Sequence, residues 1–240
     1  MNRKLKGIFL CSLFLILSAK NSNDNIGSEI NGGKEHITYI EMLEVLQIQN
    51  EEIQKMPTEQ LLNTCIDCPL IFKIWLNSSV QEGVEILINE YNGLQELLIR
   101  KDAGTELLKI YMKMDPHAFY HDWNDIQRGK YTFKFAFVEM LLAQETIISL
   151  LTKEERLSLL QELLNKQKHM SEYPIYDIKN QESNIFLIGK IIQKDYSEYM
   201  FSLSSEQNDK LQYFLRRGSH SIIGTKEMIL YMVNKIINEL

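Results

Sequence analysis

Turn-forming residues are scarce in this sequence, with four prolines and eleven glycines among 240 positions. An all-β sandwich needs such residues at short, regular intervals, so their rarity argues for helices. An excess of positive charge is also missing: 26 Lys and Arg face 32 Asp and Glu, giving a net charge of −6. Affinity for a phosphate backbone comes from Lys and Arg displacing counterions, so nucleic acid is excluded as a partner class. Cysteine is limited to Cys11, Cys65 and Cys68. Catalytic signatures are absent as well: there is no G-x-S-x-G elbow, Walker loop, G-x-G-x-x-G or EF-hand loop. No two carboxylates stand out as a glycosidase acid/base couple. No long apolar run occurs beyond the N-terminus, and the run there is about ten residues, too short to cross a hydrocarbon core of roughly 30 Å.

What is present has ordinary globular proportions, 45% apolar and 24% charged residues, and suits one domain with a sizeable core. The first 19 residues read as a signal peptide. Arg3, Lys4 and Lys6 supply the positive start, residues 8–17 the apolar stretch, and Ala19 the expected cleavage point. Removing them takes away three positive charges and no acids, which moves the net charge from −6 to −9. Lipidation is rejected because Cys11 lies inside the apolar run. The expected destination is the periplasm, cell surface or extracellular space, with no stable membrane insertion after cleavage. Residues 20–35 are polar and rich in Asn and Gly, a flexible tether. Residues 36–240 are expected to form a single all-helical domain.

Within that domain the helical punctuation is dense. Residues 37–48 are ambiguous between strand and helix. Thr58 is expected to cap the segment running to Asp67, and Pro69 to open "PLIFKIWL". Ser78 or Ser79 caps "VQEGVEILINEY", which "NG" at 92 and 93 should stop, and Asp102 caps "AGTELLKIYMKM". "YTFKFAFVEMLL" alternates like a strand at Phe133, Phe135 and Phe137, but the row Val138, Leu141, Leu142 tips it to a helix. "TKEE" at 152–155 is a capping box. Ser204 or Ser205 and then Thr225 should cap the last two helices. Nine or ten amphipathic helices with short connections must stack to bury their apolar stripes. The expected fold is all-α, an irregular stack of helical hairpins, an α-α superhelix loosely of the HEAT kind.

The pieces "T-E-x-L-L-x-T-C" at 58–65, "NGLQELL" at 92–98, "RKDAG" at 100–104, "FVEMLLAQETI" at 137–147 and "NIFLIGKII" at 184–192 carry a resemblance. Together they resemble an uncharacterised family of exported bacterial proteins of gut-dwelling Gram-negative anaerobes. The resemblance implies an all-helical exported domain and no particular chemistry. Members of that family often carry an aromatic where Cys68 stands, which implies that the C-x-x-C is a local feature.

Three constellations could bear chemistry. Cys65 and Cys68 form a C-x-x-C, but Cys65 falls late in its helix rather than at the N-terminus that would acidify it, and no βαβ unit surrounds it. Packing is the expected role of Cys65, with a local Cys65–Cys68 disulfide as the alternative in an oxidising compartment. "DPHAFYHDWND" at 115–125 would, as a helix, set His117 and His121 one turn apart, with Asp122 or Asp125 adding an oxygen to a metal. Ala118 stands where H-E-x-x-H needs its Glu, and a polar, aromatic connecting helix is the plainer reading. Phe119, Tyr120 and Trp123 make it the candidate recognition surface. "FLRRGSHS" at 214–221 reads as a helix end with a Gly cap. The sequence therefore points to an exported helical binding or scaffold protein with protein or peptide partners, without cofactor and without an assigned catalytic residue. The alternative is a metal-assisted hydrolase centred on His117 and His121.

Overall fold

The structure, a computed structural model, describes residues 38–118, 122–170, 172, 178–218 and 224–239. The expected signal peptide (1–19) and tether (20–35) lie outside the described residues. Among the described residues there are twelve α-helices, two 3-10 helices and no strand. No described helix is long and apolar enough to cross a membrane.

The chain divides into two compact units, 1–45 and 46–240. The described part of the first, residues 38–45, is nearly all of helix α1 (Tyr39–Leu46). Its strand-or-helix ambiguity is settled locally by Thr38 and Glu41. The Glu41 N–H donates to Thr38 Oγ1 at 3.3 Å, and the Thr38 N–H donates to Glu41 Oε2 at 2.7 Å. That reciprocal pair satisfies donors a strand would have left to a neighbour.

The second unit contains α2 (Asn50–Lys55), α3 (Thr58–Ile66), a 3-10 helix (Ile71–Leu76), α4 (Val80–Glu90), α5 (Asn92–Ile99) and α6 (Ala103–Lys113). There follow α7 (Asp125–Leu142), α8 (Glu145–Ile148), α9 (Lys153–Met170) and α10 (Ile178–Asp195). A second 3-10 helix (Ser197–Ser202), α11 (Ser205–Arg217) and α12 (Thr225–Glu239) complete it. Two helices form the centre. The second half of α7, from Phe135 to Leu142, is buried on every side, and so is α10 from Ser183 to Gly189. They pack on one another; α3, α4, α6 and α8 surround α7, while α9, α11 and α12 cover α10. A helix buried all round has no polar face, which is why Phe133, Phe135 and Phe137 could imitate a strand. Phe135 and Phe137 are core, and Phe133 stacks edge-on against Trp75 with ring centroids 5.0 Å apart.

Glycine is required at two places, one for close approach and one for backbone conformation. A Cβ on Gly83 of α4 would lie 2.2 Å from the Ile74 carbonyl oxygen of the first 3-10 helix. Gly218, at φ 65°, closes α11 in the left-handed region expected of a C-cap glycine. Other expected punctuation is met by Ser79, whose Oγ accepts from the Glu82 N–H, by the Thr152–Glu155 box, and by the Ser204–Gln207 box.

Six expectations are corrected. Asp102 precedes α6, but its side chain makes no cap bond to that helix. Pro69 lies in a turn, and the segment it was expected to open is the 3-10 helix that starts at Ile71. Thr58 is the first residue inside α3 and not its cap; its hydroxyl donates to Asp102 Oδ1 at 2.9 Å. Asn92 and Gly93 do not stop α4 but open α5, because extended Tyr91 ends α4 and Asn92 Nδ2 and Oδ1 bond Ile48 O and N. Thr225 is the first residue inside α12, with its Oγ1 buried and without a hydrogen bond among the described residues, so it is not the cap. The expected helix at 115–125 is not formed by its described residues: Pro116 and His117 make a turn, 122–124 are not helical, and α7 begins only at Asp125, while 119–121 lie outside the described residues. Asp115 Oδ1 accepts from the His117 N–H at 2.8 Å, a turn that an Asp before Pro favours. The Tyr131 hydroxyl holds it by donating to Asp115 O at 2.8 Å and accepting from Asp115 N at 3.1 Å.

Candidate functional site

Cys65 and Cys68 are free and buried. Burial pushes both thiols up, Cys68 to about 11 and Cys65 further, with the neighbouring thiol adding to the rise at Cys65. A side-chain hydrogen bond joins Cys65 to Tyr91, itself a core residue. A thiolate is the reactive form, so this setting works against redox chemistry.

His121, Phe119 and Tyr120 lie outside the described residues. Trp123 is half-buried with its ring edge-on to Tyr131, centroids 5.5 Å apart. Asp122 is exposed, and Asp125 sits fully exposed at the first position of α7, 3.8 Å from Arg128. Among described residues, Asp125 therefore does not join His117 at a common site. The partners the fold gives His117 come from the far end of α9. Its ring meets that of His169 with centroids 4.5 Å apart and planes inclined by 69°. The Glu172 N–H donates to His169 O at 3.1 Å, a turn that brings the Glu172 carboxylate to 3.9 Å from His169 Nδ1. One ligand atom from each of His117, His169 and Glu172 lies within 4.8 Å of the other two.

Lys166 fixes the register between these two segments. Its side chain is almost wholly buried, its ammonium donates to the Met114 carbonyl, and Glu162 Oε1 lies 2.9 Å away. Met114 lies three residues before His117, and Lys166 three before His169, so one buried contact sets both rings. The sequence signal for this cluster was the H-x-x-E spacing of His169 and Glu172 at a helix end. The pairing with His117 is a product of the fold.

Behind Lys166 lies a fully buried carboxyl, Glu139 of α7. Asn184 Nδ2 donates to its Oε1 at 3.1 Å, the Tyr111 hydroxyl to the same oxygen at 3.0 Å, and the Ser183 hydroxyl to Oε2. Burial raises Glu139 to about 7, against the lowering effect of those three hydrogen bonds and of the Lys166 charge. A Glu inside "FAFVEMLL" was the available signal, since an unpaired charge does not sit in an apolar run without partners.

Two of the resemblance-bearing pieces meet in space. Arg100 donates to the carbonyls of Ile53 and Met56 at the end of α2, at 2.6 and 2.5 Å, and to Thr58 Oγ1 at 3.3 Å. With the Thr58–Asp102 bond, "RKDAG" and the start of "T-E-x-L-L-x-T-C" form one clamp between α2, α3 and α6. Its role is structural.

Between the end of α10, the second 3-10 helix and α11 lies an open groove of about 420 Å³. Met200, Phe201 and Leu203 line it together with the amide side chains of Gln193, Asn208 and Gln212. Gln193 Nε2 donates to Gln212 Oε1 at 3.2 Å, and Phe201 beside them is 85% exposed.

No protein-family model matches the chain, and comparison with curated proteins and with solved structures finds no match.

Proposed function

We propose that this chain is an exported helical binding module that takes an extended peptide segment of a protein partner in the groove beside Phe201. Export is supported by the basic and apolar N-terminal segment, and the family suggested by the resembling motifs is of the same kind. The irregular superhelical stack is supported by chain neighbours that pack as pairs: α4 on α5, α6 on α7, α9 on α10 and α11 on α12.

One observation carries the binding reading: Phe201, 85% exposed, lines an open groove together with apolar Met200 and Leu203 and the uncharged amides of Gln193, Asn208 and Gln212. Aromatic anchors supply most of the energy at small interfaces. Amide side chains pair with both the N–H and the C=O of a peptide backbone without a charge requirement. The groove therefore suits a main chain carrying one apolar side chain.

The test is selection from a phage-displayed peptide library on immobilised mature protein. Wild type enriches peptides with a common apolar position, and Phe201→Asp lowers their binding at least roughly tenfold. Tyr231→Asp, at another exposed aromatic, leaves it unchanged. Equal binding by Phe201→Asp, or no enrichment by wild type, would overturn the proposal.

A further inference from the structure

We infer that His117, His169 and Glu172 bind one divalent transition-metal ion of the zinc type, at a site separate from the peptide groove. Two imidazoles and one carboxylate are the donor set such ions take with three protein ligands, a fourth position being left for water or substrate. Metal–ligand bonds of about 2.0 to 2.2 Å in tetrahedral array place donor atoms roughly 3.2 to 3.6 Å apart. Here the donors lie within 4.8 Å of one another and His169 Nδ1 is 3.9 Å from Glu172 Oε2, so small side-chain rotations close the set.

Two independent features favour a cation. His169 Nδ1 is shielded from solvent and makes no hydrogen bond among the described residues. A shielded ring nitrogen is costly unless something meets it, and a metal bond would do so. His169 also lies in the last turn of the eighteen-residue helix α9, where the negative end of the helix dipole favours positive charge. The donors come from two segments far apart in sequence, and the Lys166–Met114 contact holds those segments in register before any ion arrives. Glu172 follows the end of α9 by a single turn, so the carboxylate can follow the ion inward without disturbing the core.

The experiment uses zinc chloride as probe on metal-stripped mature protein at pH 7, read by calorimetric titration and competition with a chromophoric chelator. Substituted cobalt supplies a visible ligand-field spectrum that reports four-coordination. Wild type is expected to bind one equivalent with micromolar or tighter affinity. His169→Ala and Glu172→Gln each weaken binding at least tenfold, while His36→Ala retains it. His169 and Glu172 are partly exposed, and the circular dichroism of both variants should match wild type. Absence of stoichiometric binding by wild type would overturn the proposal. So would binding that survives both substitutions, because the ion would then sit adventitiously elsewhere.

Discussion

Glu139 shows how a single residue couples the core of this protein to pH. Its carboxyl is enclosed by Tyr111 from α6, by Ser183 and Asn184 from α10, and on the α9 side by the ammonium of Lys166, which itself faces Glu162. Burial lifts it from an ordinary 4.5 to about 7, so the folded chain keeps a proton that the unfolded chain has released between those values. Stability from this residue is therefore fullest below the unfolded value and is lost as pH rises through the interval, by on the order of 3 kcal/mol in all. Glu139→Gln preserves an oxygen for Tyr111 and Asn184 and a donor for Ser183 but removes the ionisation. Urea melts at pH 5, 6, 7 and 8 should show wild-type stability declining relative to the variant across that range. A constant difference between the two would mean that the carboxyl does not titrate there.

Helix contacts set opposite outcomes for glycines that look alike in sequence. Gly83 and Gly129 both lie inside helices, and propensity alone predicts a gain of up to about 1 kcal/mol from alanine at either. At Gly129 of α7 nothing among the described residues lies within 4 Å of the added Cβ, so Gly129→Ala should stabilise by about 0.5 to 1 kcal/mol. At Gly83 the Cβ would meet the backbone of Ile74, which cannot swing aside as a side chain would. Gly83→Ala should therefore destabilise by about 1 to 3 kcal/mol despite the better propensity. Thermal or urea melts of the two single variants check the signs, and a gain at Gly83 would show that α4 and the 3-10 helix separate easily. The same locality explains which elements could be read in advance. Ser79, Thr152, Ser204 and Gly218 act within three or four residues, so their caps were legible. Thr58, Asn92 and Thr225 carry equally good capping side chains. The first two turn them to distant partners, Asp102 and Ile48, and the third leaves its hydroxyl buried, outcomes no local pattern encodes.

At the scale of the whole molecule, the helical class was legible because most helices keep a polar face, whereas of the candidate metal cluster the sequence singled out His117 alone, with His121 as its expected partner. His169 and Glu172 share a turn, but His117 reaches them through a fold-dependent contact, and the turn that replaces the expected helix depends on Tyr131 from another element. The C-x-x-C offers a measure of how far the second unit behaves as one body. Cys65 and Cys68 sit in the layer of α3 against α5, α6 and α7, at 0% and 4% exposure. Labelling therefore requires that layer to open. If the unit unfolds cooperatively, with a stability in the usual range of about 5 to 15 kcal/mol, both thiols should react at least roughly a thousandfold more slowly than free cysteine. Both rates should rise with urea along the slope of the global transition, followed by mass spectrometry after alkylation under native conditions. Fast modification of Cys68 alone would mean that residues 67–76 open without the rest. A mass two daltons low before reduction would mean instead that the pair is crosslinked and the buried thiols are not the resting state.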